Sequence, residues 1–250
     1  MKIHVSPDAE QLGAAAAEKI AEKIRKSIEE YGRARIVLST GASQFEMFDV
    51  LVKEDLDWSR VTMFHLDEYV GLPESHPASF RRYLKERFVD RVHPGHVYYV
   101  KGEGDVRENI RILSEELTME PIDLGVIGIG ENAHIAFNDP PADFETKESY
   151  ILVNLNERCK LQQVGEGWFD TTDDVPKQAI SMTPYRIMQC RSIVSVVPGK
   201  RKAQAVYNTL SGVGPDPAVP ATMLLTHPDF YLYLDTDSAS LCTMELLSDT

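Results

Sequence analysis

The chain has 250 residues, with 39 acidic and 26 basic side chains and a formal net charge of −13. This charge argues against nonspecific binding to nucleic acid. It does not exclude an anionic substrate, because lysines and helix N-termini can hold a phosphate locally. The length allows one large domain or two small ones, and we expect a single domain over residues 1–250.

The three cysteines, Cys159, Cys190 and Cys242, are far apart in the sequence. No Cys-x-x-Cys pair indicates zinc, and the odd count argues against a disulfide framework. No apolar run approaches the length of a membrane span, and the N-terminus lacks the apolar core of a signal peptide. We therefore expect a cytoplasmic protein without a zinc site or a membrane partner.

Predicted strands and helices alternate with short links in the first half of the chain. A short strand at 3–5 precedes a long helix that Asp8 caps and that ends at Tyr31 and Gly32. Further strands are predicted at 34–38, 61–66, 97–100 and 122–127, with helices near 45–51, after Ser79 and at 105–117. This alternation is typical of a parallel sheet that helices cover on both faces.

The second half of the chain is less regular. Strands are predicted at 150–154, 179–182, 192–197 and 230–235, with short helices after Lys202 and at 221–225. Residues 162–174 are polar and lack periodicity, so they are predicted to form a loop or lid.

Two segments are suited to hold an anion. Ser39-Thr-Gly-Ala-Ser43 follows a predicted strand and precedes a helix, so its N–H groups can face one ligand, although an ordinary capped loop is the simpler explanation. Pro198-Gly-Lys-Arg-Lys202 brings three cations to a helix start, where they oppose the helix dipole unless an anion lies nearby.

Two other segments carry candidate acid–base residues. Asp67 and Glu68 follow a predicted strand and are suited either to proton transfer or to a role as solvated charges or helix caps. His134 and Asp139 follow the glycine-containing turn at 128–130, where a structural histidine in a tight turn is the alternative. Ligands of open α/β sheets bind beyond the carboxyl ends of strands, so we expect these segments to meet there.

Four strings carry a family resemblance: Leu38-Ser-Thr-Gly-Ala-Ser43, Asp67-Glu-Tyr-Val-Gly-Leu-Pro73 with His76-Pro-Ala-Ser79, Gly128-Ile-Gly-Glu-Asn-Ala-His-Ile-Ala-Phe-Asn-Asp-Pro140, and Pro198-Gly-Lys-Arg-Lys-Ala203. Together they resemble the glucosamine-6-phosphate deaminase (isomerase) family, which shares a superfamily with 6-phosphogluconolactonase. The resemblance implies a doubly wound, mainly parallel α/β sheet with helices on both faces, in a Rossmann-like sandwich. It also implies conversion of an aminosugar phosphate and water to a ketose 6-phosphate and ammonia, without a cofactor.

The resemblance implies catalytic roles for four residues. Asp67 matches the base that moves a proton from C2 to C1 of the open-chain sugar. His134 matches the histidine that helps to open the sugar ring, and Asp139 occupies the position of a glutamate that steadies it. Asn132 replaces an aspartate usual in the family; an amide cannot stabilise an imidazolium by charge. The analogous change in serine proteases lowers turnover by about 10⁴-fold, and we expect a smaller loss here.

The resemblance also implies a phosphate site. Lys202 matches the lysine that holds the substrate phosphate. The turn that cradles this phosphate is matched by Gly41, Ala42 and Ser43. The family supplies an arginine from the segment corresponding to 162–174, which contains none here, so Arg158 and Arg201 are the candidates to replace it.

Two alternatives remain open from the sequence. In a lactonase, His134 would activate water against a sugar-phosphate lactone without removing a C2 proton, but the string beginning at Asp67 argues against this. In a sugar-phosphate sensor, the catalytic network would have decayed at Asn132, but no DNA-binding module is visible. Either a monomer or a homo-oligomer is compatible with the sequence.

Overall fold

Ten strands form two sheets in the computed structural model, which describes residues 1–248. The strands are β1 (Lys2–Ser6), β2 (Ala34–Leu38), β3 (Val61–His65), β4 (Asp67–Tyr69), β5 (His96–Tyr98), β6 (Leu124–Val126), β7 (Tyr150–Asn154), β8 (Gln178–Met182), β9 (Ser192–Val197) and β10 (Phe230–Asp235). Seven strands pair in parallel in the order β1-β10-β9-β6-β2-β3-β5. The carboxyl ends of all seven therefore lie at one edge of this sheet.

The helices are α1 (Ala9–Tyr31), α2 (Phe45–Leu51), α3 (Phe80–Leu84), α4 (Asp90–Val92), α5 (Val106–Thr118), α6 (Glu157–Gly165), α7 (Pro184–Ile187) and α8 (Ala203–Leu210). A π-helical turn at Lys85–Val89 joins α3 to α4. The predicted cap of α1 is confirmed, since the Asp8 carboxylate accepts from the Gln11 N–H at 2.8 Å. The predicted end is confirmed as well, because Gly32 has a φ of 74°.

Side-chain alternation along the strands explains why helices cover both faces of the large sheet. In β2, Ile36 and Leu38 belong to the apolar cluster that contains the buried stripe of α1. Val37 points the opposite way, into the cluster that contains Leu113 and Leu117 of α5. Successive residues of a strand face opposite sides, so a strand that is apolar throughout needs a layer on each side. The predicted doubly wound α/β fold is confirmed.

A second, antiparallel sheet in the order β4-β8-β7 was not predicted as a separate unit. It begins where β3 ends. The N–H of Leu66 donates to the carbonyl of Leu38 in the large sheet at 3.3 Å, while its own carbonyl accepts from Met182 of β8 at 3.0 Å. Leu66 thus belongs to both sheets, and the next residue, Asp67, lies at their junction.

The prediction of a loop over 162–174 is wrong for its first part, because α6 continues to Gly165. The Asn156 side chain caps α6 by accepting from the Cys159 N–H at 2.8 Å. The buried residues of α6 are Cys159 and Gln163, so its inward face is largely polar. Apolar periodicity, which predicts helices from sequence, is therefore missing from this one.

Within residues 1–248, the helices are all too short or too polar to cross a bilayer.

A substitution at Gly102 would test how closely the chain packs against the end of β4. Its carbonyl accepts from the Gly71 N–H at 2.8 Å, and a Cβ at Gly102 would overlap the carbonyl oxygen of Tyr69 at the end of β4. Gly102→Ala should therefore lower the free energy of unfolding by about 1–3 kcal/mol, measured by denaturant titration. Gly214→Ala is the matched control, since nothing lies within 4 Å of its Cβ position. Equal stability of the two variants would contradict this account of β4.

Candidate active site

A cavity of about 470 Å³ opens at the carboxyl ends of the parallel strands. The four segments that the sequence singled out meet in its walls. They contribute residues 39–43, Asp67, residues 128–131 with His134, and residues 198–202. Among residues 1–248, no group of three His, Cys, Asp or Glu side chains converges as a set of metal ligands.

Asp67 and Glu68 have different environments, although they are adjacent. Asp67 lines the cavity and is 6% exposed. Burial raises the pKa of Asp67 well above its ordinary value, and the nearby Glu68 carboxylate adds to the shift. Side chains of successive strand residues alternate, so Glu68 points away from the cavity into the protein.

Glu68 is a structural carboxylate that ties β4 to the start of α3. It is fully buried, and burial raises its pKa despite the hydrogen bonds that it receives. Its donors are the backbone N–H groups of Tyr69, Phe80 and Arg81 and the hydroxyl of Ser79, at 2.8–3.2 Å. For Glu68 the helix-cap interpretation is therefore correct, and only Asp67 faces the cavity.

His134 and Asp139 form a close pair. Nδ1 of His134 lies 3.2 Å from Oδ1 of Asp139. The side-chain amide of Asn156 is 3.4 Å from the other carboxylate oxygen. Burial opposes ionisation of Asp139, but the adjacent His134 imidazole, the Asn132 amide and the Cys159 thiol outweigh it and lower the pKa of Asp139. Burial raises the pKa of the Cys159 thiol, which keeps that thiol protonated as a donor.

Asn132 contacts Asp139 rather than the imidazole of His134. Its amide donates to Oδ1 of Asp139 at 2.9 Å, and its own oxygen accepts from the backbone N–H of His134 at 3.1 Å. Asn132 does not line the cavity. The expectation that this amide would replace a charge beside the imidazole is therefore too simple, because the amide orients the neighbouring carboxylate.

The backbone around His134 is constrained. A Cβ at Gly130 would overlap the imidazole ring, so the ring packs directly on a residue that has to be glycine. Ala133 and Ala136 have φ values of 66° and 51°, in the left-handed region that non-glycine residues rarely adopt. Strain of this kind is found mainly where the surrounding structure holds a functional group in place.

Two similar turns form another part of the cavity wall. After β2, Gly41 has a φ of 105° and begins a 3₁₀ turn over Ala42–Gln44; after β9, Gly199 has a φ of 89° and begins another over Lys200–Lys202. Burial lowers the pKa of Lys202, and the carboxylates of Glu166 and Glu131 partly offset this effect. Three cationic side chains from the second turn line the cavity.

Only one of the two candidate arginines lies at the cavity. Arg201 is in its wall, with Nε 2.8 Å from Oε1 of Glu131. Arg158 is exposed on α6 and does not line the cavity.

Sequence reasoning missed the contribution of α6. Its residues Gln162 and Gln163, with Glu166 just beyond its end, line the cavity. The Gln162 amide donates to Glu166 at 2.8 Å, and the hydroxyl of Tyr69 donates to Oε1 of Gln163 at 2.6 Å. Together with Cys159, these residues have the spacing i, i+3, i+4 and i+7, which places them on one face of a helix. This polar stripe, which follows a capping residue at Asn156, is the sequence signal that could have predicted α6.

The Asn132 contact predicts the effect of a second acid. In Asn132→Asp, two carboxylates would lie about as close as the present 2.9 Å contact, so the pKa of one of them should rise above its unfolded value of about 4. The free energy of unfolding should fall by about 1–4 kcal/mol at pH values above that raised pKa, and this loss should disappear as the pH falls towards 4. Melting temperatures across pH measure it. The exchange variant Asn132→Asp/Asp139→Asn should recover stability at neutral pH, and a pH-independent loss would contradict this explanation.

Comparisons with known proteins agree on one family. Residues 7–232 match the family model described as glucosamine-6-phosphate isomerases/6-phosphogluconolactonase. A curated glucosamine-6-phosphate deaminase of Thermoanaerobacter pseudethanolicus is 33% identical, covering 100% of this chain and 98% of its own. A solved monomeric glucosamine-6-phosphate deaminase superimposes with a TM-score of 0.87 at 29% identity, covering 96% of this chain and all of its own. A 6-phosphogluconolactonase of Trypanosoma brucei shares the fold, with a TM-score of 0.79 at 17% identity over 97% of this chain and 98% of its own. The chain belongs to the glucosamine-6-phosphate isomerase/6-phosphogluconolactonase family.

Proposed function

We propose that this protein is an aminosugar-phosphate deaminase, which converts glucosamine 6-phosphate or an epimer and water to a ketose 6-phosphate and ammonia. One observation carries the proposal: a buried carboxylate, Asp67, faces the same cavity as the His134–Asp139 pair and a cationic turn. The relatives named glucosamine-6-phosphate deaminase support the reaction class.

Ring opening is the proposed task of His134. The lowered pKa of Asp139 keeps its carboxylate ionised, so that it faces the Nδ1–H of His134 as an acceptor and leaves Nε2 of the neutral imidazole free to accept a proton. Nε2 then takes the proton of the C1 hydroxyl, and the resulting imidazolium returns a proton to the ring oxygen. Asn132 takes part by fixing the orientation of Asp139.

Asp67 is the proposed base for isomerisation. Its carboxylate removes the C2 proton of the open-chain aldehyde while the C2 ammonium group passes a proton to O1, which gives a neutral enolamine. The protonated Asp67 then returns its proton to C1. The C2 imine that results is hydrolysed by water, which releases ammonia and leaves the ketose. Burial strengthens the carboxylate as a base because it raises the pKa of Asp67.

The two 3₁₀ turns in the cavity wall are the proposed phosphate site. Lys202 supplies the charge, and the Gly41, Ala42 and Ser43 turn supplies N–H groups and a hydroxyl. Arg201 is proposed to take the place of the arginine missing from 162–174. Since Arg201 is already paired with Glu131, phosphate binding would exchange one carboxylate partner for a phosphate oxygen.

The two alternatives explain fewer of these residues. A lactonase would use the phosphate end and His134 but would leave the buried Asp67 without a role. A sensor with decayed catalysis is disfavoured because Asn132 lies behind Asp139 and keeps it hydrogen-bonded.

The proposed enzyme works as a single domain in the cytoplasm, and its three unpaired cysteines fit a reducing compartment. Either a monomer or a homo-oligomer is compatible with this proposal. A sugar phosphate is the proposed partner, and nucleic acid is not.

The deciding experiment measures ammonia release from glucosamine 6-phosphate and galactosamine 6-phosphate. Asp67→Asn should lower kcat by about 10²–10⁴-fold while substrate binding is retained, because proton transfer is lost and the phosphate contacts remain. Lys202→Met is the matched counterpart and should raise KM by about 10–100-fold. Ammonia release by Asp67→Asn at the wild-type rate would contradict the assignment. Hydrolysis of 6-phosphogluconolactone without ammonia from either aminosugar would support the lactonase instead.

The raised pKa of Asp67 also predicts a pH profile. The base acts only when it is ionised, so kcat/KM should rise with pH as the free enzyme passes through the pKa of Asp67. The midpoint of this acid limb should lie at a pH clearly above about 3.9, the ordinary pKa of an aspartate. Initial rates between pH 4 and 8 measure it, with melting temperatures as the control for unfolding. An acid limb at or below pH 4 would contradict the proposed base.

A further inference from the structure

Gln163 carries a polar group that the proposed reaction steps do not use. Its side chain is 6% exposed and lines the cavity. Its Oε1 accepts from the hydroxyl of Tyr69 at 2.6 Å, and within residues 1–248 that hydroxyl makes no other hydrogen bond. Burial raises the pKa of Tyr69 well above its ordinary value, so the phenol remains a proton donor.

The orientation of the Gln163 amide follows from this bond. Because the phenol has its acceptor in Oε1, the NH₂ group must occupy the other end of the amide. Within residues 1–248 this NH₂ donates to no other residue, and it is not among the enclosed polar atoms without a partner, so it reaches the open cavity. A ligand that displaces water from this NH₂ has to offer an acceptor in its place, because a donor that loses water without gaining a partner is costly.

The position of Gln163 along α6 indicates which part of a ligand it would meet. Two turns earlier, the Asn156 amide that caps α6 donates to Asp139, the partner of His134. Less than one turn later, Gly165 lies beside Arg201, with a guanidinium nitrogen 3.6 Å from its Cβ position. Gln163 therefore lies between the end of the cavity where the sugar carbonyl would react and the end where its phosphate would bind.

We infer that Gln163 determines substrate specificity by donating a hydrogen bond from Nε2 to a hydroxyl at C3 or C4 of the sugar, with Tyr69 as the residue that positions the amide. This inference rests on the proposed function, because that function defines the two ends of the substrate. A six-carbon sugar phosphate with C1 near His134 and its phosphate near Lys202 has C3 and C4 in the middle. These carbons carry hydroxyl oxygens that can accept from an amide.

The aromatic surroundings make this bond selective. Tyr69 packs against Phe80 and Phe137, with ring centroids 5.0 and 5.1 Å away, and both phenylalanines line the cavity. Such walls offer little hydrogen bonding to a hydroxyl that misses the amide. A site built to bond a hydroxyl discriminates strongly against a substrate that lacks it, because the buried partner is then left unpaired.

A cycle of protein and substrate changes tests the inference. We would measure kcat/KM and the dissociation constant for glucosamine 6-phosphate and for its 3-deoxy and 4-deoxy analogues. In the wild type, one deoxy analogue should be worse than the parent by about 10–100-fold. In Tyr69→Phe/Gln163→Met, which removes both partners and leaves neither unpaired, the same analogue should equal the parent within about twofold.

Two further variants separate specificity from structure. Tyr69→Phe alone keeps the amide but frees its orientation, so the deoxy penalty should shrink without vanishing. Gln162→Met is the matched control on the same helix, because Gln162 bonds to Glu166, and it should keep the full penalty. Melting temperatures check that each variant is folded.

The outcomes distinguish the inference from the proposed function. Ammonia release with an unchanged deoxy penalty in Tyr69→Phe/Gln163→Met would overturn the inference and leave the deaminase intact. No ammonia but measurable binding would overturn the deaminase, and the dissociation constants alone would then complete the cycle. No binding of any of the sugar phosphates by the wild type would overturn both.

Discussion

The buried carboxylate of Glu68 and the shared backbone of Leu66 hold the two sheets together beside Asp67, the proposed base. Leu66 bonds to the large sheet through its N–H and to the small sheet through its carbonyl. Glu68 accepts four hydrogen bonds, three of them from backbone N–H groups. Asp67 lies between these two anchored residues, so its side chain has one direction left, into the cavity. Desolvation of the Glu68 carboxylate is unfavourable, and the four hydrogen bonds that offset this cost also hold the proposed base, Asp67, in position.

A second constraint acts on the negative charges near His134. Besides the imidazole 3.2 Å away, two amides donate to Asp139: Asn132 from the turn before His134 and Asn156 from the start of α6. Asn132 adds a donor where a second acid would add a competing charge. The single carboxylate can therefore stay ionised in a partly buried place. The same contacts link α6, which lines the cavity, to the imidazole of His134 through Asp139.

The large sheet, the cap of α1 and the convergence of four polar segments could be predicted from the sequence because each depends on local patterns or on the common edge of parallel strands. The small sheet could not, since β4 has only three residues and pairs antiparallel with β8, which an alternation of strands and helices does not predict. α6 was missed because its buried face is polar. The roles of Glu68 and Asn132 depend on partners that only the folded chain supplies, and the choice of Arg201 over Arg158 depends on which face of the protein each occupies.

The cations at one end of the cavity have a kinetic consequence in so acidic a protein. A chain with a net charge of −13 repels a phosphorylated sugar at long range, whereas Lys200, Arg201 and Lys202 attract it only nearby. At physiological ionic strength the Debye length is about 8 Å, so the repulsion from distant carboxylates is largely screened while the local attraction persists. Electrostatic steering of the substrate is thus confined to about one Debye length from these three side chains, and added salt should remove the long-range repulsion before it removes the local attraction.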